Sequence, residues 1–308
     1  MSDIKCITCG KQFTNDVNCI LHQKLNKNCN IMKVIDLFAG TGAFTHAFEK
    51  NPKFKSIFTN DMVESSKKIY ELNYPNHNFT LQDLNTINVN NIPKHDILCG
   101  GFPCQPFSIA GEKKGFEDKR SNVFWKIIEI LKTHTPQIIV LENVKNLKNH
   151  DKGNTYKIIE ENLKSIGYHI KTAILDTSKV TNIPQHRERI YIVGFRDINK
   201  YNKFSFNFET IKRNKIKDCL ELTVDCKYYY TDRFKVYDEI KNSVTKSIDE
   251  NVLYQYRRSF VRENKSNLCP TLTANMGSGG HNVPLLKDNK GIRKLTPREC
   301  FNLQGFPK

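Results

Sequence analysis

Lys33-Val34-Ile35-Asp36-Leu37-Phe38-Ala39-Gly40-Thr41-Gly42-Ala43-Phe44 is an apolar run that breaks into two glycines one residue apart. The run reads as a buried strand. Gly40 and Gly42 read as a tight turn that another molecule can approach closely, and Thr45 to Lys50 as a helix. Strand, Gly-x-Gly turn and helix, in that order, open a nucleotide-binding α/β unit. Thr45 stands where the dinucleotide fingerprint has its third glycine. That argues against a nicotinamide dinucleotide and is compatible with a ligand that lacks a pyrophosphate.

Working outward, Phe54–Asp61 reads as a second strand that ends in an acid. Asp61 lies 19 residues after Gly42, where α/β nucleotide folds put the carboxylate that accepts the ribose hydroxyls. A helix is expected from about Val63 to Leu72. A short strand, Asn78–Leu81, then leads to Asp83, which suits an adenine amine. His95–Cys99 reads as another buried strand and runs into Gly100-Gly101-Phe102-Pro103-Cys104-Gln105-Pro106-Phe107-Ser108. Proline fixes its own φ and restricts the residue before it, so Cys104 sits on stiff backbone. A thiol presented at a strand's C-terminal end suits a nucleophile. A small buried cysteine is the other reading of the same residue.

Further along, residues 122–132 carry Val123, Phe124, Ile127, Ile128 and Leu131 at helical spacing, an ordinary core stripe. A buried strand, Gln137–Leu141, closes with Glu142-Asn143-Val144. Glu142 is a candidate acid or hydrogen-bond acceptor, or else a solvated loop residue. A helix over 154–166 and a strand over His169–Leu175 follow. Gln185–Gly194 runs from a charged turn into a strand. There Arg187 and Arg189 alternate and are expected to share one face, suited to phosphate or carboxylate; the alternative is a surface ion pair with Glu188. After Phe195 the α/β pattern is lost, and a smaller, irregular domain rich in Lys, Asn and Tyr is expected. Its cations interleaved with aromatics suit DNA. Near the end, Thr296, Pro297 and Glu299 spell the N-cap, N1 and N3 positions of a capping box.

The first thirty residues read as a separate module. Cys6-x2-Cys9-x12-His22 has zinc-finger spacing, Phe13 stands where such a finger places its core aromatic, and Cys29 is the fourth candidate ligand. So small a segment needs a staple such as a metal. A tail with chance cysteines is the alternative.

Composition sets the frame for these motifs. The 308 residues carry a net charge of +16, which favours a polyanionic partner, nucleic acid first. A lysine- and asparagine-rich composition from an AT-rich genome would give the same sign. No apolar run approaches a membrane span, and the N-terminus lacks a signal peptide's apolar core. A soluble, intracellular, cytoplasmic chain that makes no use of a membrane is expected. In a reducing compartment the ten cysteines suit a metal site or a reactive thiol better than disulfides.

Together these stretches resemble the DNA cytosine-5 methyltransferase family. The matches come in the family's order. They are Asp36-Leu37-Phe38-Ala39-Gly40-Thr41-Gly42, Asn60-Asp61, Asp83, Gly101-Phe102-Pro103-Cys104-Gln105-Pro106-Phe107-Ser108, Glu142-Asn143-Val144, Gln185-His186-Arg187-Glu188-Arg189, Pro270-Thr271-Leu272-Thr273 and Arg293-Lys294-Leu295-Thr296-Pro297-Arg298-Glu299. They span residues 33–308.

The resemblance implies an α/β, Rossmann-like S-adenosylmethionine-dependent methyltransferase sheet with helices on both faces, and a smaller target-recognition domain. Boundaries are then expected at residues 1–30 for the zinc-finger-like module, 31–195 for the catalytic domain and 196–308 for the target-recognition region. It implies that the cofactor lies over Gly40–Gly42, with Phe38 on the adenine, Asp61 on the ribose, Asp83 on the amine and Val123 as an apolar contact. The partner is double-stranded DNA, and the target cytosine is flipped out of the stack. Cys104 then attacks C6, Glu142 holds N3 and the amine, Arg189 holds the base and Arg187 braces the loop. In the family a further segment with a Gly-Asn pair follows Gln304-Gly305-Phe306-Pro307, whereas this sequence stops at Lys308. The expectation is therefore a monomer that is naturally short or truncated, or one completed by a second chain. Two other readings are tRNA cytosine-5 methylation and a DNA-binding remnant without activity.

Overall fold

Val34, Ile35 and Leu37 lose all contact with solvent because their strand, β3 (Met32–Leu37), lies inside a seven-stranded sheet. The computed structural model describes residues 4–5, 12–13, 31–103, 123–209, 211–257, 260–274 and 283–307. At the N-terminus β1 (Ile4–Lys5) and β2 (Gln12–Phe13) pair antiparallel. Cys6, Cys9, His22, Cys29 and Cys104 all lie outside the described residues.

The large sheet adds β4 (Phe54–Asp61), β5 (Phe79–Leu81), β6 (Ile97–Gly101), β7 (Ile138–Val144), β8 (His169–Asp176) and β9 (Glu188–Phe195), in the order β5-β4-β3-β6-β7-β9-β8. Strands β5 to β7 along that order pair in parallel. The chain winds from β3 out to β5, then returns to lay β6 on the other side of β3. The strand order therefore reverses between β3 and β6. Ligands of open α/β sheets bind beyond the carboxyl ends at such a switch point, and the Gly40 turn and the Phe102-Pro103 segment both leave the sheet there.

Successive residues of a strand face opposite sides, so Val34 and Ile35 belong to different cores. Val34 packs with Ile97, Cys99 and the Phe44 and Phe48 rings of helix α1 (Ala43–Glu49). Ile35 packs with Leu98, Ile139 and Phe124, Ile127 and Leu131 of helix α3 (Val123–His134), the stripe expected over 122–132. Helix α2 (Glu64–Asn73) follows β4, and α4 (Asn154–Ser165) precedes β8. Helices thus cover both faces, as expected.

The chain divides into two compact units, residues 1–173 with 190–205 and residues 174–189 with 206–308. The segments expected at 1–30, 31–195 and 196–308 put residues 174–189 with the catalytic domain, whereas these residues form a detour into the second unit. Backbone bonds hold them there: Cys269 N donates to Pro184 O at 2.7 Å and His186 N to Cys269 O at 2.8 Å. Pairing across more than eighty residues leaves no local pattern to read.

The second unit also corrects the expectation of an irregular domain. It holds a four-stranded antiparallel sheet of β10 (Tyr254–Arg257), β11 (Phe260–Glu263), β12 (Val283–Lys287) and β13 (Ile292–Lys294), in the order β11-β10-β12-β13. Strands of three to five residues are too short for alternation to stand out from a Lys- and Asn-rich background. Around the sheet lie a core of Ile240, Val244, Tyr254, Tyr256 and Leu285 and a second of Leu253, Cys269, Leu286, Cys300 and Leu303. The capping box is present as read: Thr296 Oγ1 accepts from Glu299 N at 3.1 Å while Glu299 Oε2 accepts from Thr296 N at 2.9 Å. Among the described residues no helix is long and apolar enough to cross a membrane.

Candidate active site

The turn after β3 holds three left-handed residues, Phe38 (φ 56°), Gly40 (φ 55°) and Gly42 (φ 91°). Glycine is required at 42 for a second reason: a Cβ there would stand 2.9 Å from the rings of Tyr70 and Tyr74. Phe38 adopts this conformation with a bulky side chain, a strain of order 1–3 kcal/mol of the kind found at ligand sites. Helix α1 begins at Gly42, which has no side chain to cap it. Asp36 does so instead: its Oδ2 accepts from Thr45 N at 3.0 Å and Thr45 Oγ1 at 2.9 Å. The Tyr70 hydroxyl then bridges Thr45 Oγ1 (3.1 Å), Thr59 Oγ1 (2.9 Å) and His77 Nδ1 (3.1 Å). Asp36 is fully buried and its Oδ1 has no hydrogen-bond partner. Burial lifts its carboxyl to about 7, against the two Thr45 hydrogen bonds, with the charge of Asp61 adding to the rise.

Asp61 ends β4 and is fixed by two amides. Oδ2 accepts from Gly40 N at 2.8 Å and Oδ1 from Val63 N at 2.9 Å, so the acid and the glycine turn are one rigid piece. The neighbouring Asn60 is buried and donates to Thr80 O at 2.9 Å and Gln82 O at 2.8 Å, which sets the distance from β4 to the loop bearing Asp83. Asp83 accepts from Asn85 N at 3.0 Å. A cavity of about 330 Å³ opens between these elements. It is lined by Phe38, Asp61, Asp83, Pro103 and Val123, together with Asn60, Met62, Gln82, Leu84 and Asn85.

Four residues expected to hold a nucleoside thus converge from four separate segments. The volume lies within the roughly 300–1,000 Å³ of small-molecule sites. An aromatic ring, two carboxylates and an aliphatic wall fit an adenosine with a cationic appendage. Gly40 and Gly42 shape the turn but do not line the cavity. A Cβ on Gly40 would meet nothing within 4 Å, so that face of the turn is open. Sequence reasoning missed Asn60, Met62, Gln82, Leu84 and Asn85. Their signal was adjacency to Asp61 and Asp83.

The chain leaves β6 beside Glu142. Gly101 of β6 pairs with Glu142 of β7, and Glu142 Oε2 would be 3.1 Å from a Cβ on Gly101. The absent side chain is the space the carboxylate crosses. Asn143, buried, donates from Nδ2 to Phe102 O at 2.9 Å and accepts from Val144 N at 2.8 Å. The backbone two residues before Cys104 is therefore tied to the backbone one residue after Glu142. Three of the described thiols, Cys99, Cys269 and Cys300, make poor nucleophiles. Burial pushes Cys99 and Cys269 well above their ordinary range and Cys300 up to about 12, and a thiol must ionise to attack.

Arg187 and Arg189 lie in the second unit. The strand β9 begins at Glu188, so Arg187 precedes it and the two do not share a strand face as expected. Arg187 N donates to Asp176 Oδ1 at 3.3 Å, and its guanidinium reaches Leu272 O at 3.5 Å. Arg189 donates to Glu188 O at 2.8 Å. His186 Nδ1 lies 2.8 Å from Asp176 Oδ2. Burial pushes the Asp176 carboxyl up, but hydrogen bonds from Ser178 and His186 outweigh it and hold the group below the usual range. Among the described residues no group of three or more His, Cys, Asp or Glu side chains could hold a metal ion.

Residues 32–308 match the family described as C-5 cytosine-specific DNA methylase. Among curated relatives, the Type II methyltransferase M.Bsp6I of Bacillus sp. (strain RFL6) is 46% identical over 282 residues, covering 90% of this chain and 88% of the relative. The Type II methyltransferase M1.ScrFI of Lactococcus lactis subsp. cremoris is 38% identical, covering 92% and 71%. M.HpaII of Haemophilus parainfluenzae is 37% identical, covering 89% and 79%. Among solved structures, the Dnmt2 methyltransferase of S. pombe aligns with a TM-score of 0.67 at 21% identity, covering 90% of this chain and 87% of that one. At that identity it shares the α/β methyltransferase fold.

Proposed function

This chain belongs to the C-5 cytosine-specific DNA methylase family, and on that premise we propose which of its residues carry the reaction. The protein is a DNA cytosine-5 methyltransferase that uses S-adenosylmethionine. When bound, that cofactor supplies the methyl group that ends on C5 of the base. Phe38 would pack on the adenine, Val123 would supply an apolar contact, Asp61 would accept from the ribose hydroxyls and Asp83 from the adenine amine. The observation that carries this assignment is their convergence on one cavity at the switch point of the sheet.

Cys104 follows Pro103, which lines that cavity. Its thiolate adds to C6 of a flipped cytosine, placing the electron pair on C5 as an enamine carbon. Glu142 hydrogen-bonds N3 and the exocyclic amine and offsets the charge that develops there. Once C5 carries the methyl group, its proton leaves and the C6–S bond breaks, which returns the thiolate and restores the C5=C6 double bond. Arg189 holds the base, and Arg187, through Leu272 O, braces the segment beside it. The N-terminal module holds one zinc ion on Cys6, Cys9, His22 and Cys29, a reading supported by the β1–β2 pairing that brackets the first two cysteines. Metal content per chain tests it.

Duplex DNA with 5-fluorocytosine at the target cannot lose a C5 proton, so it traps the adduct. The wild-type protein with cofactor is expected to form a denaturant-stable complex, and Cys104→Ser to form none, with methyl transfer below roughly one-thousandth of wild type. An adduct retained by Cys104→Ser would overturn the assignment. The same assay with transfer RNA decides against or for RNA as the substrate.

A further inference from the structure

The second unit contains a groove larger than the cofactor cavity, and none of the residue assignments above accounts for it. Its volume is about 750 Å³, and one wall is the β10–β11 hairpin. Antiparallel register places Gln255 opposite Arg262 and Arg257 opposite Phe260. These four therefore share one face, while Tyr254, Tyr256 and Val261 turn to the other and join the core. Glu263 also lies on that inner face, 2.7 Å from Lys246. Gln255, Arg257 and Arg262 line the groove with Asn264, Lys265 and Ser266, and among the described residues no carboxylate lines it. Arg257 is half-buried, and its Nε has no hydrogen-bond partner among the described residues. Phe260 remains 55% exposed.

A two-stranded ribbon fits the major groove of B-DNA, where Arg donates bidentately to guanine O6 and N7, and Gln pairs bidentately with a base edge. Arg257 lines the groove from a strand of this hairpin, so its guanidinium is presented on fixed backbone. An exposed phenylalanine beside two arginines supplies an apolar contact for a thymine methyl group or a base step.

We infer that the outward face of this hairpin, Gln255, Arg257 and Arg262, reads base edges of the target site, with Arg257 on a guanine, and that Lys265 only holds phosphate. This deepens the methyltransferase reading and rests on it for the identity of the ligand as duplex DNA.

The test uses the full chain and a randomised duplex library carrying one central cytosine. Methylated molecules are sequenced in one arm. In a second arm, molecules retained on the protein are sequenced without any requirement for catalysis. Wild type is expected to select a motif containing guanine. Arg257→Ala and Arg257→Lys are both expected to lose the requirement at one base pair, with discrimination there falling about 5- to 150-fold. Lysine keeps the charge but not the fork, so retained binding by that variant excludes misfolding. Lys265→Ala is expected to weaken all sequences alike. If Arg257→Lys, Gln255→Ala and Arg262→Ala all leave the motif unchanged, or weaken every sequence in equal proportion, the assignment fails. If the wild type methylates nothing but the bound pool still shows a motif that Arg257→Lys degrades, the enzyme reading fails and the reading face stands.

Discussion

Each unit buries a carboxylate completely, and the two do it by opposite means. In the first unit, among the described residues, Asp36 has only hydroxyl and amide donors from Thr45 and no cation, so burial lifts it to about 7. In the second unit Glu299 is clasped by both terminal nitrogens of Arg293 at 2.8 and 2.9 Å, and by Thr296 N and Glu221 N. Arg293 is itself buried and also donates to Asp288 at 2.8 Å. Burial pulls its guanidinium down, but Glu299 and Asp288 outweigh that and hold it up. The first arrangement tolerates loss of charge, whereas the second depends on keeping its charges. The cavities repeat the contrast. The one lined by Asp61 and Asp83 suits a cationic nucleoside, and the groove lined by Arg257, Arg262 and Lys265 suits a polyanion.

The largest effect that sharpens this contrast is expected from Glu299→Gln. It leaves Arg293 buried beside a neutral amide, a change worth about 3–5 kcal/mol in comparable pairs, visible in urea unfolding. A loss below about 1 kcal/mol would make the pair no different from a surface one. Asp36→Asn should behave in the other sense. A carboxyl raised on folding contributes stability that is fully present below its unfolded pKa, near 4, and that is lost as pH rises through its folded value of about 7. Wild type should therefore lose a few kcal/mol relative to the asparagine variant between pH 4 and pH 8. Parallel pH profiles would show that Asp36 is not the neutral member of the comparison.

Gly42→Ala, by contrast, tests the turn rather than the charge. Its Cβ would meet the Tyr70 and Tyr74 rings at 2.9 Å with φ at 91°, so the melting midpoint should fall by the equivalent of about 1–3 kcal/mol. For the cavities, Asp61→Asn is expected to weaken S-adenosylhomocysteine binding about 10- to 100-fold by calorimetry, as a charge-assisted bond is lost, with DNA affinity unchanged. Lys265→Ala should do the reverse and only slightly, lowering the salt slope of DNA binding by about one. If either variant disturbs the other ligand, the division of labour between the cavities is wrong.

Much of the first unit was legible because its signals are local. A glycine turn after a strand, acids at the ends of two strands and a helical stripe over Val123–Leu131 each occupy a dozen residues or fewer. The capping box at Thr296 and Glu299 was legible for the same reason. That Glu299 also accepts from Arg293 was not, since a capping glutamate looks the same on a surface. The detour of residues 174–189 depends on bonds from Pro184 and His186 to Cys269, and the β10–β13 sheet on alternation over three to five residues. Long-range register and brief strands leave no trace in periodicity. Asp36 was read as a motif letter, and its capping of α1 became visible only when Gly42 proved to be the first helical boundary.

Gln185, fully buried, donates from Nε2 to Leu303 O, 118 residues away. In genetic terms, a stop codon or frameshift that removes Leu303 is not a local lesion. It would remove the acceptor that anchors the Gln185-His186-Arg187 segment. Mutants that lose Leu303 should therefore be indistinguishable in phenotype from mutants that lose Gln185.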